Sequence, residues 1–276
     1  MNLSIAFSPC PNDTFMFDAL VNKKIDNKNI DLNIYLADID NLNQSVYSSK
    51  YDISKISYHV YPYISDKYQL LTSGSALGFN NGPILISKRD IDIKDLDKIL
   101  IAIPGIHTTA NLLLNIFFPE ARNKKVFLFS EIEDAINSGE ADAGVIIHES
   151  RFTYEQKGLK KIIDFGQQWQ KYTNMPLPLG GIAIKRGIDN EVKLKINQLI
   201  YESVSFALKN PQESRQFVKK YSQSLDDTVI NRHINLYVNE FSLDLGYIGK
   251  KAIIRLFNES LLISNLKISE NDIFVV

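Results

Sequence analysis

The amino-acid sequence predicts an α/β fold, in which strands and helices alternate. An apolar run, a polar loop and a helical pattern follow one another twice, over residues 3–21 and over residues 98–117. Residues 126–147 have the order strand, helix, strand with short links. Because a βαβ unit joins parallel strands through a right-handed crossover, we expect parallel pairing in the sheets.

The strand–loop–helix segments at residues 3–21 and 98–117 have the same order of elements. A β-compatible run at residues 3–7 ends at a segment rich in Pro, Asn and Asp, which favour turns, and residues 14–21 follow as a helix. In the second of these segments a strand is predicted over residues 98–103. Its helix covers residues 110–117, and Pro119 prevents the helix from continuing.

The βαβ pattern is clearest after residue 125. An apolar strand is predicted at residues 126–129, and a second at residues 143–147. Between them, Ser130 and Glu133 have the spacing of a capping box, and Gly139 is placed to end the helix.

The last third of the chain is helical in pattern. Apolar residues recur at helical spacing within residues 192–207, 229–241 and 253–261, and an Asn-Pro pair at residues 210–211 ends the first run. Three amphipathic helices are therefore predicted to close the chain.

Two connectors suggest a division into lobes. Residues 78–83 and 174–181 are rich in Gly, Asn and Pro, and each precedes a short apolar run. We therefore expect lobe 1 to comprise residues 1–87 and 182–276, and lobe 2 to comprise residues 88–181. A ligand cleft between two such lobes is expected, since small molecules bind preferentially at domain interfaces.

Composition excludes several classes of function. The chain has 276 residues, 45% of them hydrophobic, and its 31 Lys and Arg against 32 Asp and Glu give a net charge of −1. Nucleic-acid binding is not expected, because it depends on clustered basic residues. A single cysteine, the absence of a signal-peptide pattern and the absence of a run of about 20 apolar residues predict a cytoplasmic protein that does not enter the membrane.

A histidine follows the strand predicted at residues 143–147. His148 is expected to lie at the carboxyl end of this strand, where ligands bind in open α/β sheets. A neutral imidazole there is suited to act as a general base; the alternative is a structural histidine. His107 has a weaker case, and His59 and His233 are interpreted as structural.

Two loops lead from a strand into a helix N-terminus, at residues 8–14 and 104–110. Such N-termini offer backbone N–H groups and partial positive charge to an anionic or carbonyl oxygen. The alternative is that the polar side chains only cap the helices. These side chains belong to Asn12, Asp13, Thr108 and Thr109.

Two further side chains have competing interpretations. Cys10 precedes a helix N-terminus, a position that lowers the pKa of a thiol, but its flanking prolines favour packing over nucleophilic catalysis. Ser57 ends a β-like run, so its hydroxyl can either contact a ligand or belong to a turn residue. We expect no metal site and no nucleotide cofactor, because no ligand spacing, GxGxxG motif or P-loop occurs.

Short motifs occur in a fixed order between residues 8 and 181. They are SPCPNDTF at residues 8–15, SALG at 75–78 with NGP at 81–83, PG at 104–105 with TTA at 108–110, ADAGVIIHE at 141–149 and LPLGG at 177–181. In these motifs the chain resembles the 1,4-dihydroxy-6-naphthoate synthase family of menaquinone biosynthesis. The first and fourth motifs are specific, and the C-terminal helices contribute no motif.

The resemblance implies a two-lobed fold like that of type II periplasmic binding proteins, in a cytosolic enzyme that acts on a small molecule without a cofactor. It implies that His148 is the catalytic base. The substrate-binding residues it implies, or that lie within the matching motifs, are Lys55, Ile56, Ser57, Thr108, Thr109, Ala110, Asn12 and Asn81.

The reaction implied by the resemblance is the conversion of cyclic dehypoxanthinyl futalosine into a dihydroxynaphthoate. A non-catalytic two-lobed binding protein is the alternative, and covalent catalysis by Cys10 is a third hypothesis. Lys55 and Arg151 are the two candidates for pairing with the substrate carboxylate. The sequence does not determine the oligomeric state.

Overall fold

The computed structural model describes residues 2–222, 226–264, 268 and 272–276. The chain divides into two compact units, one made of Met1–Gly78 with Pro178–Val276 and the other of Phe79–Leu177. Both changes of unit lie within the connectors at residues 78–83 and 174–181. The lobe boundaries expected at residues 87 and 181 stay a prediction.

Strands and helices alternate through most of the chain, which confirms the α/β class. In the described residues the strands are β1 (Asn2–Phe7), β2 (Asp31–Leu36), β3 (Ile53–Ser57), β4 (Tyr68–Leu70), β5 (Ala76–Gly78), β6 (Ile84–Ser87), β7 (Ile101–Ile103), β8 (Lys124–Val126), β9 (Ala143–Ile146), β10 (Lys160–Asp164) and β11 (Leu177–Lys185).

The α-helices vary from one turn to five turns in length. They are α1 (Pro11–Val21), α2 (Ile39–Ser45), α3 (Thr109–Phe117), α4 (Ile132–Ser138), α5 (Phe165–Thr173), α6 (Asn190–Lys209), α7 (Arg215–Tyr221), α8 (Asp227–Tyr237), α9 (Glu240–Leu243) and α10 (Gly246–Ser264). Short 3-10 helices include Tyr58–Tyr63, Phe129–Glu131 and His148–Phe152. None of the described helices combines the length and the apolar character needed to cross a bilayer.

Each unit contains one mixed sheet. In the first unit the strand order is β2-β1-β3-β11-β4, with β5 also paired to β11. Strand β1 is parallel to β2 and β3, and β11 is antiparallel to β3 and β4. In the second unit the order is β10-β6-β9-β7-β8. Strand β7 is parallel to β8 and β9, whereas β6 is antiparallel to β9 and β10. The predicted parallel βαβ unit is thus confirmed.

Helix α1 lies at the centre of the first unit. Its residues 11–20 are all buried, and its apolar side chains pack with strands β1 and β3 and with helix α6 in one core. A serine of α6 joins the two helices directly: Ser203 Oγ donates to Met16 O at 2.7 Å and accepts from Leu20 N at 3.1 Å. The buried residues of α1 include four polar ones, of which Asp13 and Asp18 are paired with lysines.

Several boundaries differ from the sequence predictions. Strand β8 ends at Val126, not Phe129, and begins with two lysines. As the edge strand of its sheet it needs no continuous apolar run, and charged residues protect such an edge from further pairing. Strand β7 begins at Ile101 because a 3-10 helix occupies Ile93–Lys98.

The helix signals are partly confirmed. Gly139 ends α4 with φ +81°, in the left-handed region that suits glycine. The capping box of Ser130 and Glu133 is wrong: α4 has Glu131 at its N-cap without a side-chain cap. The Glu133 carboxylate instead accepts hydrogen bonds from Ser150 and Lys157, so tertiary contacts prevail over local capping.

The C-terminal third contains more helices than predicted. Helix α7 was not predicted, and the run at residues 229–241 is divided between α8 and α9. Asn239 causes the break: its side chain accepts from Phe241 N at 2.9 Å and donates to Leu77 O at 2.9 Å. Asparagine caps a new helix readily, because its side chain competes for backbone hydrogen bonds.

Asp52 ties three strands of the first sheet together. Its carboxylate accepts from Ser4 N at 2.9 Å and Ser4 Oγ at 2.7 Å, and it pairs with Lys185 Nζ at 2.9 Å. Burial raises the pKa of this carboxyl, but the hydrogen bonds from Lys185 and Ser4 outweigh burial and lower the pKa below its ordinary value. The ionised form of Asp52 therefore stabilises the folded chain.

We expect Asp52→Asn to lower the apparent free energy of unfolding at pH 7 by about 1 to 3 kcal/mol, because hydrogen bonds to a charged group are lost. The difference from the unmutated protein should shrink as the pH falls through the lowered pKa, since Asp52 then loses its charge too. Urea unfolding at several pH values measures this, with the exposed Asp66→Asn as control. An equal loss at pH 7 and in acid would contradict the explanation by charge.

Candidate active site

Predicted site residues of the first unit lie at one edge of its sheet. Strands β1 and β3 are parallel neighbours, so their carboxyl ends meet at the same edge. The chain leaves β1 into α1, whose second residue is Asn12, and β3 ends with Lys55, Ile56 and Ser57. All four of these residues are buried.

Asp13 connects the two strand ends. One carboxylate oxygen, Oδ1, lies 2.8 Å from Lys55 Nζ and accepts from Asn12 Nδ2 at 2.9 Å. The other oxygen, Oδ2, accepts from Ser8 Oγ at 2.6 Å and from Ser8 N at 3.2 Å. The side chains of Asp13 and Lys55 are only 1% and 5% exposed. The edge therefore contains a buried ion pair with hydrogen-bonded partners.

Ser57 is held by an amide side chain. Its backbone N–H donates to Asn43 Oδ1 at 2.8 Å, and its hydroxyl oxygen accepts from Asn43 Nδ2 at 3.0 Å. Asn43 is fully buried on α2. This pair of hydrogen bonds fixes the orientation of Ser57 at the end of β3.

The glycine of the LPLGG motif allows β11 to approach this edge. Gly180 is paired with Ser57, and a Cβ atom at position 180 would lie 2.6 Å from Ile56 O. No side chain larger than hydrogen fits there without moving a strand. The first glycine of the motif is therefore required for steric reasons, because it lies against residues 55–57.

A C-terminal helix also reaches the candidate site. His233, fully buried on α8, has Nε2 2.9 Å from Asn12 Oδ1. The His233 ring also packs against Tyr237, with centroids 4.7 Å apart. The sequence interpretation treated His233 as structural and did not connect it with Asn12, because nothing in the local pattern indicates a contact across more than 200 residues.

The second unit repeats the arrangement. Strands β7 and β9 are parallel neighbours, so their carboxyl ends also share an edge. After β7 the loop leads to Thr108, Thr109 and Ala110 at the start of α3, and after β9 the chain reaches His148. The four predicted residues therefore follow the ends of two strands that are neighbours in the sheet.

Capping explains one helix start and not the other. Thr108 is the N-cap of α3: its Oγ1 accepts from Asn111 N at 3.3 Å and donates to Gly105 O at 2.8 Å. At α1 the N-cap is Cys10, and no side-chain hydrogen bond caps that helix. The capping interpretation thus holds for Thr108, whereas Asn12 and Asp13 make other hydrogen bonds.

His148 has an unusual backbone. It begins a 3-10 helix two residues after the end of β9 and has φ +58°, a left-handed conformation that non-glycine residues adopt rarely and histidine more often than most. Its ring is half-buried and edge-on to Phe129, with centroids 4.9 Å apart. Residues held in such conformations cluster at functional sites.

Arg151 anchors the segment that carries His148. Its guanidinium pairs with Asp164 at 2.6 Å and donates to Gly82 O at 2.6 Å and to Asn80 O at 3.1 Å. These bonds join the 3-10 helix to the end of β10 and to the connector that contains the buried Asn81. The charge of Arg151 is therefore engaged within its own unit.

Comparison with known proteins identifies the family. A family model described as menaquinone biosynthesis matches residues 3–260. The chain belongs to this family. The resemblance noted in the short motifs is thereby confirmed across nearly the whole chain, including the C-terminal helices that carry no recognisable motif.

Two relatives within this family bear the same name, 1,4-dihydroxy-6-naphthoate synthase. The relative from Thermus thermophilus is 38% identical, over 94% of this chain and 93% of its own length. The relative from Streptomyces coelicolor is 40% identical, over 91% of this chain and 90% of its own length.

Solved structures support the fold. A protein from Archaeoglobus fulgidus has a TM-score of 0.91 at 33% identity, covering 96% of this chain and 98% of that one. A Candida albicans protein, described as having the generic periplasmic binding protein fold, has a TM-score of 0.70 at 13% identity, covering 98% of this chain and 92% of that one. The periplasmic-binding-protein-like fold implied by the family resemblance is thus confirmed.

We expect Gly180→Ala to destabilise the protein by about 1 to 3 kcal/mol, because overpacking of this size forces the backbone to move. Equilibrium unfolding measures the loss. Gly187→Ala is the matched control, since a Cβ atom there meets no heavy atom within 4 Å. Equal stability of both variants would contradict the steric role of Gly180.

We expect Arg151→Met to destabilise the second unit by about 3 to 5 kcal/mol, because it leaves Asp164 buried without its ionic partner. The control is Arg89→Met, which removes an exposed pair with Asp142 and should cost about 1 kcal/mol or less. Chemical denaturation of both variants makes the comparison. A loss no larger for Arg151→Met than for Arg89→Met would show that the Arg151 contacts do not anchor the segment.

Proposed function

We propose that this protein is a lyase that converts cyclic dehypoxanthinyl futalosine into 1,4-dihydroxy-6-naphthoate in menaquinone biosynthesis. The observation that carries the proposal is the identity of 38% and 40%, over more than nine-tenths of the chain, to two proteins named 1,4-dihydroxy-6-naphthoate synthase. The position of His148 two residues after the end of β9 in the second sheet supports a catalytic role for that residue.

In the proposed reaction the imidazole of His148 removes a proton from a carbon next to a carbonyl group, and the C–H electron pair forms an enolate. The carbon–carbon bond to the sugar-derived part then breaks. Its electron pair leaves with the three-carbon fragment, which takes up a proton. The step neither consumes nor releases electrons, so it requires no redox cofactor, and formation of an aromatic ring drives it forward.

The start of α3 is proposed to stabilise the enolate oxygen. The amide groups of Thr109 and Ala110 lie in the first turn, where helix geometry directs N–H donors and positive potential toward an anion. The Thr108 hydroxyl already donates to Gly105 O. We therefore assign the oxyanion contact to the amides of residues 109–110, and assign Thr108 to holding the loop.

The substrate carboxylate is proposed to pair with Lys55 and not with Arg151. Arg151 is engaged by Asp164 and two backbone carbonyls. Lys55 Nζ contacts Asp13 and Gly74 O, and the described residues provide no acceptor for its third proton. Ile56, Ser57, Asn12 and Asn81 complete the proposed substrate-binding set.

We further propose that the reaction takes place in the cytoplasm. A chain with a single cysteine, the buried Cys10, is compatible with a reducing compartment. The partner implied by the family is a small molecule. A binding protein of the same fold is the alternative, and product formation distinguishes the two.

We expect His148→Asn to reduce turnover by about 10²- to 10⁴-fold, the usual contribution of a positioned general base. Asparagine tolerates the left-handed backbone, so the variant should fold. The assay is the absorbance of 1,4-dihydroxy-6-naphthoate after addition of cyclic dehypoxanthinyl futalosine.

His107→Asn is the matched control, because His107 follows the neighbouring strand of the same sheet but has no assigned role. Near-normal turnover by His148→Asn would refute His148 as the base. If the unmutated protein forms no naphthoate, the synthase proposal itself is wrong and the alternative of a binding protein is favoured.

A further inference from the structure

We propose that Asp13 is a positioning residue, which holds the Lys55 ammonium group so that its remaining proton is directed to an oxygen of the substrate. This inference rests on the proposed function and assigns to the reaction a residue that sequence reasoning considered only as a helix cap. It depends solely on contacts within the first unit.

The geometry fixes the ammonium group on two sides. Asp13 Oδ1 is 2.8 Å from Lys55 Nζ, and the carbonyl of Gly74 accepts from the same nitrogen at 3.1 Å. An ammonium group has three donors in tetrahedral arrangement. With two of them taken by fixed acceptors, the direction of the third is determined without any further contact.

Asp13 is itself immobilised. Ser8 donates to Oδ2 through its hydroxyl and its backbone amide, and Asn12 donates to Oδ1. The Asn12 amide is in turn fixed by His233 of α8 at 2.9 Å. The carboxylate therefore cannot rotate away from Lys55, and the C-terminal helices contribute to its orientation.

Stability alone does not explain the pair. Burying two charges carries a desolvation cost that their attraction often fails to repay, and neutral replacements are often equally stable. The pair lies between the start of α1 and the end of β3, beside Ser57 and Asn12. A costly arrangement at the sheet edge where ligands of α/β folds bind points to a role in binding.

Helix α1 carries a second buried aspartate that can be compared with Asp13. Asp18 is also fully buried and pairs with Lys24 at 2.8 Å, but Lys24 is one quarter exposed and its ammonium group also donates to Glu213 O. The two aspartates share a helix and a type of partner. Only Asp13 pairs with a lysine that we assign to the substrate.

The test is a double-mutant cycle with Asp13→Asn, Lys55→Met and the combined variant, measured by steady-state naphthoate formation. We expect each single variant to raise KM about 10- to 100-fold, the range for a lost hydrogen bond to a charged group, with a smaller change in kcat. The combined variant should be no worse than Lys55→Met, because Asp13 acts through Lys55.

Two controls separate positioning from a structural role. Asp18→Asn should lower stability but leave KM within about twofold, because Asp18 pairs with Lys24 and not with a lysine assigned to the substrate. Ser8→Ala removes a hydrogen bond to Asp13 without leaving a buried charge, and should raise KM by severalfold in a protein that still folds. This variant keeps the inference testable if Asp13→Asn does not fold.

Additive effects of Asp13→Asn and Lys55→Met on kcat/KM would overturn the inference, as would a normal KM in Ser8→Ala or in a folded combined variant. A raised KM in Asp18→Asn, equal to that in Asp13→Asn, would also overturn it, because general destabilisation would then explain both. If the unmutated protein forms no product, the proposed function and this inference fall together. If it is active and the cycle is additive, only this inference fails.

Discussion

The parallel pairing of neighbouring strands is the constraint on which both candidate clusters depend. In the first unit β1 pairs with β3, and in the second β7 pairs with β9. Parallel strands have their carboxyl ends at one edge of the sheet, so the segments that follow them are brought together whatever their separation in sequence. Asp13 meets Lys55 for this reason, and His148 follows the strand adjacent to the one that leads to Thr109.

Buried ion pairs fix the arrangement of particular side chains within each unit. Asp13, Asp164 and Glu133 are all buried acids, and each is paired with a basic residue. Such pairs contribute less to stability than to defining one arrangement, since an unpaired charge in the same place would be strongly unfavourable. In the second unit the Arg151 contacts connect the segment after His148 with the connector. In the first unit Asp13 determines where one ammonium group lies.

Much of the fold and part of the site could be predicted from local pattern. The helix at residues 109–117, the glycine that ends α4 and the parallel βαβ unit have signals that depend on nearby residues only. Edge strand β8 was predicted at the wrong residues and the break at Asn239 was not predicted, since their positions depend on sheet order and on a contact with Leu77. Asn43 and His233 were missed as site neighbours because a buried polar side chain has no periodic signature.

The sequence by itself determined the α/β class, the family and the positions along the chain at which polar residues follow apolar strands. These properties follow from turn chemistry, hydrophobic periodicity and motif order, which are local. Only the tertiary structure decided which of those residues share an edge, that Asp13 binds Lys55, and that Arg151 is engaged by Asp164. Those pairings depend on strand order and on hydrogen bonds between distant segments, and they exist only once the sheets have formed.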